Sequence, residues 1–190
     1  ATPIARNGSK MIGKPIQYQP LTQLEVDEAC RKHEFLMNGR MGGARANFSY
    51  KILKGLDLSG RNLADADLSG AILEGTNFSG ANLTRATIFA ADMRQANLSG
   101  AVLHRADMRG VILRGADLTG ANLFDANLAG ANLTDANLTF ADLQGAILAD
   151  AILWGADLTD ADLTDADLSG AVLANADLEN ANLEGANLTD

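Results

Sequence analysis

From Ala46 to Asp190 the chain divides, without insertion, into 29 consecutive pentapeptides: ANFSY, KILKG, LDLSG, RNLAD, ADLSG and onward to ANLTD. The third position is apolar in all 29 and is Leu in 24; the first is Ala in 24; the second is Asp or Asn in 21. Neither standard element accommodates this period. On an α-helix five residues turn through about 140°, so the leucines would wind round the whole surface. On a straight strand five is odd, so successive leucines would alternate between faces. All of them point one way only if the chain turns a corner every five residues, always in the same sense. Within a unit Ala and Leu are two apart and share a face of a short extended segment. Gly at nearly half of the fifth positions suits a turn that needs relaxed backbone angles. Asp and Asn at the second position suit a turn by bonding to nearby backbone. The expected result is an all-β solenoid with alanine and leucine inside and three of five positions outside.

These A-(D/N)-L-x-x tandem units closely resemble the pentapeptide repeat family, over about three quarters of the chain. The resemblance implies a right-handed quadrilateral β-helix with four pentapeptides per coil, hence about seven coils. At a strand spacing of ~4.8 Å the stack is roughly 35 Å long.

Three segments are expected: a flexible N-terminal arm (1–21), a capping helix with its lead-in (22–45), and the β-helix (46–190). The arm carries Pro and charge without periodicity. Thr22 and Glu25 form a capping-box pair, and Asn38-Gly39 is a stop signal. Val26, Cys30, His33 and Met37 fall on one apolar stripe, which reads as a lid over the first coil. No partner residue marks Cys30 as reactive or His33 as a ligand, and a single cysteine excludes an intramolecular disulfide framework. At the other end Asp190 completes a repeat with no helix to cover the last rung. Such an edge suits either further chain or an end-to-end homodimer through the C-terminal coil. No apolar run approaches the ~20 residues of a membrane span, and no apolar stretch at the N-terminus resembles a secretory signal. The expectation is a cytoplasmic protein with no membrane contact.

Charge is divided unevenly. Residues 1–114 hold all 15 Lys and Arg and 10 acids; residues 115–190 hold 14 acids and no Lys, Arg or His. Ten of those 14 sort onto two adjacent faces. Asp117, Asp157, Asp160, Asp177 and Glu179 fall on one, and Asp125, Asp142, Asp162, Asp165 and Glu184 on the other. The acidic half carries about one charge per ~1.3 Å of axis by the same spacing, against one per ~1.7 Å in duplex DNA. Half of the ten are second-position Asp residues that the repeat uses for its turns, so solubility and turn bonding explain them equally.

With four faces, residues twenty apart stack. Eight units replace the second-position Asp or Asn with a β-branched residue, and five of these share one face: Ile52, Ile72, Ile112, Ile152 and Val172, with Trp154 beside them. They form either a docking strip or extended sides built from residues that suit them. Between the charged halves lie Arg85, Arg94, Arg105, Arg109 and Arg114. Stacking expects Asp65–Arg85, Arg105–Asp125 and Glu74–Arg94 pairs, leaving Arg109 and Arg114 for an anionic partner.

No acid–base or nucleophile constellation is visible, His104 stands alone on the coil, and no metal or phosphate motif occurs. The expected function is therefore non-catalytic, without cofactor: an interaction scaffold for a protein of unknown identity, working through flat faces. The alternative comes from the family's quinolone-resistance branch. It is a DNA-mimic regulator of DNA gyrase, with no direct nucleic-acid contact. The continuous coils and basic N-terminal half depart from that branch.

Overall fold

The computed structural model describes residues 15–190; most of the expected arm, residues 1–14, lies outside them. Each pentapeptide must place five N–H groups, and Ala131–Asp135 shows where they go. Ala131 closes a turn on the carbonyl of Leu128 (2.9 Å), and Asn132 donates back one coil to Val111 (2.9 Å). Leu133 and Asp135 donate forward one coil, to the carbonyls of Ile152 (2.7 Å) and Trp154 (2.9 Å). Thr134 has no backbone acceptor and donates to Oδ1 of Asn132 (3.1 Å). Every donor is satisfied, as a buried or half-buried backbone requires. The fourth position alone depends on a side chain.

That dependence explains the second position. In all 21 units with Asp or Asn there, Oδ1 accepts the N–H two residues on, at 2.9–3.3 Å. The corner needs a residue with positive φ, and every fifth position from Tyr50 to Gly185 has one, whether or not it is glycine. Half of these 28 corners are non-glycine, and eight of those 14 are Asp or Asn, the residues that best tolerate the left-handed region.

Parallel bridges join residues twenty apart along the whole stack, for instance Ile112↔Asn132↔Ile152↔Val172. Four pentapeptides therefore make one coil, and each side of the coil contributes a single bridge. The Ala and Leu columns close into one apolar core that is buried through Leu168.

The first coil lacks a preceding rung, and three groups stand in for it. Strand β1 (Gln19–Pro20) pairs in parallel with β2 (Lys51–Ile52), and Leu21 N–H reaches the carbonyl of Ile52 (2.9 Å). Residues 19–21 are thus part of the stack and not an arm, because they supply an edge that would otherwise be open. Helix α1 (Gln23–Met37) supplies the other two. It starts at the expected capping box of Thr22 and Glu25 and ends at Asn38 and Gly39, where φ is +65. The Gln23 carboxamide accepts from Asp57 N–H and donates to Asp57 C=O, both at 2.8 Å, as a neighbouring strand would. His33 Nδ1 accepts from Ala46 N–H (3.1 Å), so the proton sits on Nε2, which donates to the carbonyl of Ala64 (2.9 Å). Val26, Cys30 and His33 are buried on this side, but Met37, expected on the same stripe, is 39% exposed. It is the last residue of the helix.

Across the last coil the alanine and leucine columns become partly exposed, and Leu188 is 51% exposed. Its forward donors, including the N–H groups of Leu173, Leu178 and Leu183, have no acceptor among the described residues.

Candidate interaction faces

The bridges place Ile52, Ile72, Asp92, Ile112, Asn132, Ile152 and Val172 in one column. Ile112, Ile152 and Val172 are 37%, 39% and 46% exposed, and Trp154, at the corner next to Ile152, is 46% exposed. Ile52 and Ile72 are less exposed, so the strip is open mainly in its C-terminal part. An isoleucine here forgoes a bond: Arg114 and Trp154, two residues past Ile112 and Ile152, have no side-chain acceptor for their N–H groups. The β-branched side chain thus replaces a turn-stabilising group with exposed apolar surface.

Ile147 belongs with this strip although stacking puts it on the adjacent face. It is 40% exposed, and the corner of Ala149 and Asp150 joins it to Ile152. The signal was in the sequence, since AILAD-AILWG is the only place where two successive units both lack the second-position Asp or Asn.

The acids occupy the expected columns. Asp117, Asp157 and Asp177 lie along one ladder, with Asn137 between the first two, and Asp142 and Asp162 are adjacent on the next. One oxygen of each is engaged by its own turn. Thr164 donates both its hydroxyl (2.6 Å) and its N–H (3.0 Å) to Asp162, holding that carboxyl below the usual carboxylate range. The Thr159 hydroxyl and N–H do the same for Asp157. Asp160 and Asp165 are corner residues with φ of 56°, and Glu179 and Glu184 are exposed fourth-position side chains. Among the described residues, Asp125 alone of the 14 acids after Arg114 makes an ion pair, with Arg105 at 3.3 Å.

The arginines are arranged differently from the stacking expectation. Arg85 does pair with Asp65 one coil away (2.7 Å). Arg109, however, is not free: it grips Asp107 of its own unit through Nε (2.8 Å) and Nη2 (2.7 Å). Arg94 holds Asp92 in the same way and reaches Glu74 only at 3.7 Å. Glu74 is instead held by Lys54 at 3.0 Å. Second and fourth positions of one unit project to the same side, so an Asp-Met-Arg sequence closes within its own unit the same two-bond fork that Arg85 makes with Asp65 one coil away. These contacts hold Asp92 and Asp107 below the usual carboxylate range. Arg114 follows Ile112 in place of an acid and makes no ion pair among the described residues. It borders a shallow hollow of about 260 Å³ that also contains the carboxylates of Glu74 and Asp135.

The remaining singled-out residues are structural. Cys30 is buried, and burial pushes its thiol up to about 11, away from thiolate chemistry. His104 stacks on Phe124 with ring centroids 5.3 Å apart. No group of three or more His, Cys, Asp or Glu is placed to hold a metal among the described residues. No helix there is long and apolar enough to cross a membrane.

A pentapeptide-repeats family model matches in 8 copies, over overlapping segments running from residue 44 to residue 190. Among solved structures, the chain is similar to HetL, a pentapeptide repeat protein involved in heterocyst differentiation regulation in the cyanobacterium Nostoc sp. strain PCC 7120. The identity is 36%, over 76% of this chain and 77% of that one, with a TM-score of 0.49. It is also similar to a pentapeptide repeat protein of the Arabidopsis thaliana thylakoid lumen (37% identity, 60% and 68% covered, TM-score 0.27). Full-length QnrB1, a plasmid-mediated fluoroquinolone resistance protein, matches at 20% identity over 76% and 84%, with a TM-score of 0.43. No curated protein matches the chain. With four units per coil, a corner at every fifth residue and the family pattern running through the whole solenoid, the chain belongs to the pentapeptide repeat family.

Proposed function

We propose that this protein is a non-catalytic scaffold that binds a protein partner through flat faces of a rigid β-helix in the cytoplasm. One observation carries the reading: Ile112, Ile152, Val172 and Trp154 are exposed together, at and beside positions where the repeat elsewhere places a turn-bonding Asp or Asn. Exposed apolar groups gathered on one face mark an interaction surface. In this reading α1 and β1 serve as the cap that closes the N-terminal edge. A second copy stacked on the C-terminal coil would pair the free donors there, giving an end-to-end homodimer. Sedimentation at micromolar concentration tests that arrangement, and a strict monomer excludes it.

The second reading, a DNA-mimic regulator of DNA gyrase, is favoured by a separate observation. Asp142 and Asp162 are neighbours in one ladder and Asp157 and Asp177 in another, although like charges on adjacent rungs repel. A pull-down from the host's lysate separates the two readings. One variant carries Asn at Asp157, Asp160, Asp162 and Asp165; the other carries Asn at Ile112, Ile152 and Val172. Partners lost only with the isoleucine variant support the scaffold. Gyrase captured and lost only with the acid variant supports the mimic. Partners unaffected by either variant overturn both.

A further inference from the structure

The geometry points to the corner formed by Ile147, Ala149, Ile152, Trp154 and Val172 as the seat of a cationic, amphipathic segment of the partner protein. This rests on the scaffold reading and adds the partner's chemistry.

The apolar part wraps two faces of one coil. Ile147 and Ile152 flank the Ala149–Asp150 corner, Trp154 closes the far side, and Val172 bridges to Ile152 from the next coil. A Trp is among the side chains most often found anchoring an interface. Carboxylates border the patch, while Asn127 and Asn132 bridge to Ile147 and Ile152 from the preceding coil. Asp150 stands in the corner itself, and Asp167 bridges to Ile147 from the next coil. Asp135 lies against Gly155, and Asp157 follows two residues past it. None of these four carboxylates makes an ion pair among the described residues, and no Lys, Arg or His occurs after Arg114.

Charge complementarity selects the occupant. An apolar segment alone would cover the isoleucines while drying the rim carboxylates without a counter-charge, which is costly. An acidic segment would add repulsion. Lys or Arg side chains flanking an apolar stripe offset both effects and steer the encounter.

The single tryptophan gives a local readout. The full chain is titrated, with Trp154 emission recorded, against three synthetic peptides. These are a leucine–lysine amphipathic helix, its leucine–glutamate counterpart, and a serine–lysine peptide of equal charge. The expected result is a saturable blue shift with the leucine–lysine peptide only. The double variant Ile147→Asn, Ile152→Asn should weaken binding by about tenfold or more. The double variant Asp135→Asn, Asp150→Asn should weaken it and flatten its salt dependence. Both should fold, because Asn is the repeat's own second-position residue and already occupies corners at Asn175 and Asn180; circular dichroism confirms this. Equal binding of the glutamate or serine peptide, or binding undiminished in the isoleucine variant, overturns the proposal. If it fails while the lysate partners still depend on Ile112, Ile152 and Val172, the scaffold reading stands and only the cationic occupant falls.

Discussion

Gly110 and Gly145 both occupy corners with φ of +64, yet their surroundings differ. A Cβ at Gly110 meets open space; at Gly145 it would meet Oδ1 of Asp125 at 2.7 Å. Alanine at either position incurs the left-handed penalty of about 1–2 kcal/mol. Gly145→Ala must in addition displace Asp125 and disturb its pair with Arg105. Thermal melts should therefore rank Gly145→Ala below Gly110→Ala, and equal melting temperatures would show that Asp125 yields freely. The contrast between faces is sharper. Leu153 is fully buried, so Leu153→Ala should lose about 2–5 kcal/mol. Its neighbour Ile152 is half exposed, and Asn in its place regains the turn bond to Trp154 N–H while losing some apolar contact. These effects are each about 1 kcal/mol. Ile152→Asn should change stability by less than ~1 kcal/mol in chemical denaturation. A large loss would mean that the residue serves the fold and not a partner.

At the scale of the element, α1 is docked by side chains that imitate backbone. The His33 imidazole does this only when neutral, because protonated Nδ1 could not accept from Ala46. Burial, with a smaller contribution from Arg45, lowers its pKa below the ordinary value; the bond to Ala64 and the charges of Asp65 and Glu34 act in the opposite direction. The unfolded chain takes up a proton near pH ~6.5 while the folded chain does not. Stability is therefore full above that pH, falls as pH drops towards the lowered folded value, and levels off below it. The slope is at most about 1.4 kcal/mol per pH unit for one proton. Melting curves from pH 7.5 downward should show this decline for the native chain and a flatter profile for His33→Gln. Identical profiles would show that the group does not titrate on unfolding.

At the scale of the whole molecule, negative charge is concentrated in the C-terminal coils and the arginine belt lies midway along the stack. Beyond Arg114 its 14 acids meet no base within their own half, and the described ion pairs cluster in the other half. Self-repulsion in the C-terminal coils should be strongest when the Debye length is long. Raising salt from ~0.01 M to ~0.3 M, well past the point where the Debye length drops below ~10 Å, should raise the melting temperature. Neutralising Asp157, Asp160, Asp162 and Asp165 should reduce that rise. A melting temperature independent of salt would mean that the outward spread of these carboxylates already relieves the strain. Coils in such a stack are stabilised by their neighbours, so amide exchange in a monomer should be fastest in residues 171–190, whose alanine and leucine columns are partly exposed, and an end-to-end homodimer should slow it.

The solenoid and its corners were legible in the five-residue period, and the column register of twenty was implied by the resemblance to the family. Each unit repeats the same local hydrogen-bond problem, so one solution propagates through all 29. The stacking of Ile112, Ile152 and Val172 follows from counting by twenty, as do the two acidic ladders. Tertiary structure decided what happens where the pattern ends or where long side chains choose partners. At the first coil no preceding rung exists, and only the fold brings β1, Gln23 and His33 to the open backbone groups across 13 to 34 residues of chain. In the belt, Arg94 could reach Glu74 one coil away or Asp92 in its own unit and took the latter, and Arg109, with no acid stacked on it, took Asp107 of its own unit. Backbone register is set by a repeated local pattern. Edge closure and ion pairing are set by distances between residues that the pattern does not relate.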